Sequence, residues 1–405
     1  MIGLRSIKPD FTKWPSDSGR RRAIVNQAFR AACIAIASVS VVILLTLLGT
    51  IAVDGFPALS WEFLTGSPSP NPEQCGILPA LMGSIWICLG CAALAVPLGV
   101  GTAVFLEEFP PRGRWMRRFH NLVELNISNL SGVPSIVYGI LGLTAFANMF
   151  SYFGRTDEPV FEIGARHYYQ FLTEGLEVVL IPVADPTVPP NLVDGMTAQL
   201  ANGRPVTLRV VPADGELPSD DAALKFTLWS DAEGGLATRT SWYYFRLPFG
   251  RSILAASLTL MLVVLPILII STQEALRGVP STLREASLGL GSTTWQTVWN
   301  VTLPSAVPGI MTGTILAVSR AIGEAAPILM LAGIVYITRS PRHLCDDFAV
   351  LPIQIYYWAG LPVAQNAPLT FTNLAAAGII VLLAILLVFN AVAIAIRQFN
   401  QRPLT

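Results

Sequence analysis

Glu285-Ala286-Ser287-Leu288-Gly289-Leu290-Gly291 is followed, after nine intervening residues, by Val301-Thr302-Leu303-Pro304. Thr282 with Glu285, and Thr293 with Gln296, have the spacing of a capping box, so two helix starts are specified about eleven residues apart. Gly291 is free to turn between them. Pro304 is expected to stop the second helix. The predicted unit is a short helix, a glycine corner and a longer helix, a shape that can seat in a partner's groove. The plainer reading is that Glu285 only caps its helix and Gly291 only ends it.

This unit stands in a chain of 405 residues that is 53% hydrophobic and 13% charged. Several apolar runs reach the roughly 20 residues that a bilayer-spanning helix needs. The expected fold is an all-α polytopic membrane protein with six transmembrane helices, at about 31–53, 82–106, 127–150, 252–272, 308–337 and 375–396. Gly309, Gly313, Gly323 and Pro327 predict that the fifth is irregular. The first run follows Arg20-Arg21-Arg22 and is too long for the apolar core of a cleaved signal peptide, so it is expected to stay as an anchor.

Lys and Arg in short loops mark the cytoplasmic side. The loop 107–126 carries Arg112, Arg114, Arg117 and Arg118, the loop 54–81 carries no basic residue, and Arg397 and Arg402 follow the last span. Both termini are therefore expected inside, and so is the loop 273–307 that holds the glycine corner. The domain reading is a cytoplasmic segment 1–30, spans one to three in 31–150, an external insert in 151–250, and spans four to six in 251–405.

The insert breaks the membrane pattern. Alternating stretches at 176–181, 206–211 and 224–229, separated by Pro, Gly and Asp clusters, read as strands and turns, hence a β-rich insert. Residues 155–249 hold 13 Asp and Glu against 7 Lys and Arg, so the neutral total of the chain averages an acidic insert and a basic remainder.

Five Cys and the scattered His120, His167 and His343 have no metal-ligand spacing. Cys33, Cys88 and Cys91 fall in predicted spans. Cys75 and Cys345 fall in predicted external loops, where a disulfide can persist, and form a candidate bridge with free thiols as the alternative. A phosphate-binding loop needs Gly-x4-Gly-Lys-Ser/Thr. The only lysines are Lys8, Lys13 and Lys225, and none is in that context, so this chain is not an ATPase.

The stretch at 285–304 resembles the EAA loop of bacterial ABC-importer permeases, with Ser287 for the second Ala and Val301 for the Ile. Ser131-Gly132-Val133-Pro134-Ser135-Ile136-Val137-Tyr138-Gly139 is similar to a segment of phosphate-importer permeases, and so is Ser319-Arg320-Ala321-Ile322-Gly323-Glu324-Ala325-Ala326-Pro327. With Gly76-Ile77-Leu78-Pro79 before the second span, the resemblance favours the PstA-type subunit over the PstC type.

The resemblance implies a type I importer permease moving inorganic phosphate. It implies a PstC-type permease as heterodimer partner, a PstB-type ATPase dimer that binds the ATP and Mg, and a PstS-type phosphate-binding protein, all at the bacterial inner membrane. No cofactor is expected in this chain and no nucleic acid partner. Glu285, Ala286, Gly291, Leu303 and Pro304 would be the ATPase-coupling residues. Two rivals stay open: another oxyanion as cargo (sulfate, molybdate or a phosphonate), and a membrane sensor or scaffold beside such a transporter.

Arg320 lies twelve residues after Pro308, about 18 Å into its span. A charge near mid-bilayer costs about 2.5–3.5 kcal/mol even on the lenient insertion scale. Glu324, four residues on, can pair with it. One reading has Arg320 offering its planar donor fork to a phosphate oxyanion while Glu324 holds it; the other has a structural pair between helices. Ser131, Ser135 and Tyr138 are candidate neutral donors to the same path, or packing residues.

Overall fold

The computed structural model describes residues 16–111, 113–155, 158–172, 178–182, 193–200, 204–211, 227–229, 235–332, 337–362 and 368–400. Arg112 and Arg402 of the charge pattern, residues 333–336 of the expected fifth span, and the first residues of the expected strands 176–181 and 224–229 lie outside them.

The apolar runs become helices α1 (Ser16–Gly55), α3 (Leu78–Glu108), α6 (Ile253–Arg277), α9 (Leu303–Gly323) and α12 (Phe371–Asn400). Short helices fill the connections: α2 (Trp61–Thr65), α4 (Arg114–Leu130), α5 (Ser135–Gly142), α7 (Ser281–Gly289), α8 (Thr294–Thr297), α10 (Ala326–Ala332) and α11 (Leu351–Ala359). Among the described residues five helices are long and apolar enough to cross a membrane, or six if the bent pair at 114–147 counts as one.

That pair corrects the expected third span at 127–150. The chain turns by 109° between α4 and α5, at Gly132-Val133-Pro134. Proline removes a backbone donor and disfavours helix for the residue before it, so the run cannot stay straight. The straight part, α5 with the π-helical Leu143–Ala147, has only thirteen residues, roughly 20 Å.

α6 is the central helix. Ile253, Ala256, Leu260, Val264 and Leu268 are buried against Ile87, Cys91 and Ala95 of α3, Ala317 and Ala321 of α9, and Ile328 and Leu331 of α10. Small residues permit the closeness: Gly309 stands against Ala275, Gly313 against Ser271 and Gly142 against Thr259, each so near that a Cβ would collide. A second apolar cluster joins Phe63, Cys75 and Ile77 to Trp358, Leu374 and Ala377 at one end of the bundle. A third joins Ala103, Leu106, Leu276, Val279, Ala306 and Ile310 at the other. α1 has no buried residue from Arg21 to Thr50; it meets the rest where Gly55 abuts Ala376 and Ala377.

The region 154–247 carries strands over 178–181 and 227–229 of the expected ones, while the expected 206–211 is split at Leu208 into two strands of different sheets. A five-stranded antiparallel sheet runs in the order β6 (Pro205–Thr207), β5 (Thr197–Leu200), β4 (Val178–Pro182), β3 (Phe161–Leu172), β9 (Gly235–Leu247). Its small core is Phe171, Val179, Ile181, Ala198, Leu200 and Leu208. Two-stranded pairs β1 (Gly154–Arg155) with β2 (Glu158–Pro159), and β7 (Arg209–Val211) with β8 (Thr227–Trp229), flank it.

The sheet is tied to the helices through His343. Its Nε2 lies 2.8 Å from Thr240 Oγ1 and 2.9 Å from Asp346 Oδ1. Its neighbour Leu344 accepts the Leu254 N–H at the start of α6 at 2.8 Å. The Tyr244 ring lies 5.0 Å from the His343 ring, tilted by 54°, and its hydroxyl donates to Glu162 at 2.6 Å. Burial holds His343 below its usual range, Asp346 opposing and Arg246 reinforcing that shift.

Candidate functional site

Two places gather the residues singled out in the sequence: the glycine corner at one end of the bundle, and the turn after α9. At the corner, α7 runs into Gly291, whose φ of +89° is a conformation that L side chains rarely adopt. The Gly291 N–H donates to Leu288 O and the Ser292 N–H to Ser287 O, closing the first helix. The second opens with a complete capping box: Thr293 Oγ1 accepts the Gln296 N–H, and Gln296 Oε1 accepts the Thr293 N–H. Ser287 and Thr297 hydroxyls meet at 3.0 Å across the corner. Glu285, Ala286 and Gly291 are exposed, and Leu290 is 88% exposed.

Two expectations about this unit need correction. Thr282 makes no capping bond with Glu285; α7 starts two residues earlier than that cap implies, at Ser281 after Pro280, whose extended ψ sets the entry without a side-chain cap. Pro304 does not stop the second helix. It occupies the first turn of α9, where no intrahelical donor is needed, and the π-helical Val298–Thr302 delivers the chain into it. The helix therefore runs unbroken from Thr294 to Gly323. Leu303 is half-buried and Pro304 exposed on this path.

Charged residues that the sequence reading passed over anchor the corner. Arg284 donates to Val279 O at 3.0 Å and Leu276 O at 2.7 Å, capping the end of α6, and pairs with Glu108 at 2.8 Å. Arg277 pairs with Glu107 at 3.0 Å and approaches Glu124 of α4 at 3.7 Å. The signal was the acidic doublet closing the second span opposite an Arg just before Glu285. Their mutual distance became visible only with the fold.

At the second place, Arg320 Nε donates to Glu324 Oε1 at 3.0 Å. α9 ends there: Glu324 is its C-cap with extended ψ, and α10 begins two residues later. A cation in the last turn suits the helix dipole. The Arg320 side chain is 50% exposed and that of Glu324 16%. Extending the antiparallel register of Gly309–Ala275 and Gly313–Ser271 brings Arg320 level with Val264, near the middle of α6. Ser319 beside it bonds Asn390 of α12.

α5 meets this turn, since Gly139 packs on Pro327 and Met330. Tyr138 is buried, and its hydroxyl donates to Leu130 O at 2.8 Å, stapling the bend between α4 and α5. Ser131, exposed, gives its hydroxyl to Ser128 O. Ser135 is half-buried in the first turn of α5. Two of the three candidate donors thus spend their protons on the backbone.

An open apolar cleft of about 500 Å³ lies elsewhere, walled by Val100, Phe105, Phe109, Trp295, Trp299 and Leu303. It has no charged lining residue and lies seventeen residues from Arg320 along the helix, roughly 25 Å. It does not suit an oxyanion. The candidate disulfide is not formed: Cys75 and Cys345 are both buried free thiols. Cys75 accepts the Ser69 N–H at 3.3 Å within the Phe63–Trp358 cluster, while Cys345 sits beside Arg246 under the sheet. Among the described residues no cluster of His, Cys, Asp and Glu could hold a metal.

Residues 95–403 match the family described as binding-protein-dependent transport system inner membrane component. The chain belongs to that family. A probable ABC transporter permease protein YqgI of Bacillus subtilis is 26% identical over 298 residues, covering 74% of this chain and 67% of its own. A phosphate transport system permease protein PstC of Mesorhizobium japonicum is 28% identical over 323 residues, 78% of this chain and 74% of its own. A PstA of Mycobacterium leprae is 43% identical over 111 residues, 27% of this chain and 36% of its own. PstC relatives match over longer stretches and PstA relatives at higher identity over shorter ones, so this member of the permease family is similar to both types.

Proposed function

We propose that this chain is one of two membrane subunits of an ATP-driven importer of inorganic phosphate, of the PstA type, paired with a PstC-type permease, a PstB-type ATPase dimer and a PstS-type binding protein. ATP and Mg are held by the ATPase. The corner Glu285–Gly291, with the helix it opens, docks on that ATPase, and the sheet region lies outside with both termini inside. The observation that carries the phosphate reading is the half-exposed Arg320, held by Glu324 at the level of mid-α6. A guanidinium there can turn its planar fork to an oxyanion, and Glu324 repels an anion that lingers. Relatives named as phosphate transport permeases support the same cargo.

Uptake of radiolabelled phosphate in cells lacking other importers tests this, with membrane levels checked by blotting. Arg320→Lys keeps the charge and loses the fork, so uptake falls while the protein still assembles. A purely structural pair predicts instead that Arg320→Glu with Glu324→Arg restores uptake. Near-normal uptake by the exchanged variant or by Arg320→Gln would refute phosphate contact. Uptake inhibited by sulfate, molybdate or a phosphonate more strongly than by cold phosphate would reassign the cargo.

A further inference from the structure

α4 has a face that the bundle does not use. With 100° per residue, Trp115, Phe119, Leu122, Val123, Ile127 and Leu130 fall within an arc of about 140° that is apolar but for Asn126, whose side-chain amide donates to Leu122 O. One side of the arc is spent: Val123 and Ile127 pack on the cluster of Leu106, Leu276 and Val279 at the ends of α3 and α6. The other side is open. Trp115 is 83% exposed, Phe119 59% and Leu122 58%. Arg118 and Arg114 border this open side on one flank, Arg117 stands on the opposite face, and among the described residues none of the three has an acidic partner. Arg118 lies over the Trp115 ring at 5.9 Å. Three cations in the first two turns oppose the helix dipole, so helix stability does not account for them.

The placement is equally specific. α4 is pinned across the bundle end, His120 Nε2 lying 2.8 Å from Leu106 O in α3 and Glu124 meeting Arg277 of α6. It is turned by 109° from the axis of α5. A helix nearly perpendicular to its neighbour, at the end of a spanning bundle, lies along the membrane surface.

We propose that α4 is an interfacial helix whose open apolar side enters one leaflet while Arg114 and Arg118 at its border hold anionic phospholipid headgroups. Apolar burial and cation–headgroup attraction are the two forces such helices use, and a Trp at the boundary is their common anchor. The surface belongs to the leaflet at the glycine-corner end, and the bend at Gly132-Val133-Pro134 is what lays it there. The inference is independent of the cargo.

The full chain, purified with its accompanying subunits, is reconstituted in nanodiscs of phosphatidylglycerol or of phosphatidylcholine. Cys33, the one exposed native cysteine, is replaced by Ser, and a nitroxide is placed at Phe119→Cys, Leu122→Cys or, on the opposite side, Asn121→Cys. The labels at 119 and 122 should show an oxygen-to-nickel-chelate collision ratio several-fold above that at 121. Immersion should be deeper in phosphatidylglycerol, and Arg114→Gln with Arg118→Gln should abolish that lipid difference while the protein stays assembled. Equal nickel access at all three positions would mean a face open to water. Exclusion of both reagents would mean a protein partner covers it. Either result overturns the proposal.

Discussion

Replacing Gly291 separates backbone strain from every other effect at the corner. Its φ is +89°, yet nothing lies within 4 Å of where a Cβ would stand. A side chain there meets no neighbour, so the penalty is conformational alone. For an L residue in the left-handed region it is about 1–2 kcal/mol, and larger for a β-branched side chain. One to two kcal/mol lowers the population of the turned corner roughly 5–30-fold. Asn, which tolerates such φ values, should be mildest, Ala intermediate and Val worst. The assay is copurification of the ATPase together with hydrolysis stimulated by the loaded binding protein. Gly291→Asn should retain most of both, and Gly291→Val should lose most of the stimulation while the subunit inserts normally. Equal stimulation in Asn and Val variants would refute the argument, because a corner indifferent to φ is not a fixed corner.

The Arg284–Glu108 pair, with side chains 24% and 9% exposed, predicts that Arg284→Ala costs roughly 3 kcal/mol by stranding Glu108, whereas Arg284→Met with Glu108→Leu costs less; thermal unfolding in detergent ranks the two. At His343 the neutral form is favoured in the fold. Below the ordinary value of 6.5 the unfolded segment takes up the proton first, so stability of the sheet–helix junction falls as pH drops, and His343→Gln should flatten the pH dependence of amide exchange at Thr240 and Tyr244. Burial pushes the Cys75 and Cys345 thiols up, so an impermeant maleimide should leave the native protein largely unmodified and label both cysteines after denaturation without reductant; protection after denaturation would reveal a bridge.

Much of this was legible in the sequence because it is local. Runs of about twenty apolar residues state the long helices, Gly291 states the corner, and Thr293 with Gln296 states a cap that forms with both its bonds. What failed depended on context. Pro304 is a helix breaker in isolation and a first-turn residue here, because a π-turn precedes it. The run 127–150 is apolar enough to span, but Pro134 bends it, and the amphipathic period of α4 is cut by the boundary between the expected loop 107–126 and that span. At the site, the Arg320–Glu324 pair follows from four-residue spacing alone. For Tyr138 the sequence leaves a donor role and a packing role both open, because its acceptor, Leu130 O, is set by the bend. Ion pairs such as Arg284–Glu108, separated by 176 positions, are statements about tertiary structure that no window of sequence contains.

The unbroken run from Thr294 to Gly323 has a mechanical consequence. Thirty residues of continuous helix extend about 45 Å, with the capping box at one end and Arg320 in the last turn at the other. Pro304 and Pro308 remove donors from its ladder, but the chain stays helical through both, so a rotation imposed at the corner is carried along the helix toward the guanidinium. Had Pro304 ended the helix, the joint would have absorbed the same torque. The azimuth of Arg320 about its helix axis is therefore coupled to how the corner is held, one helix length away.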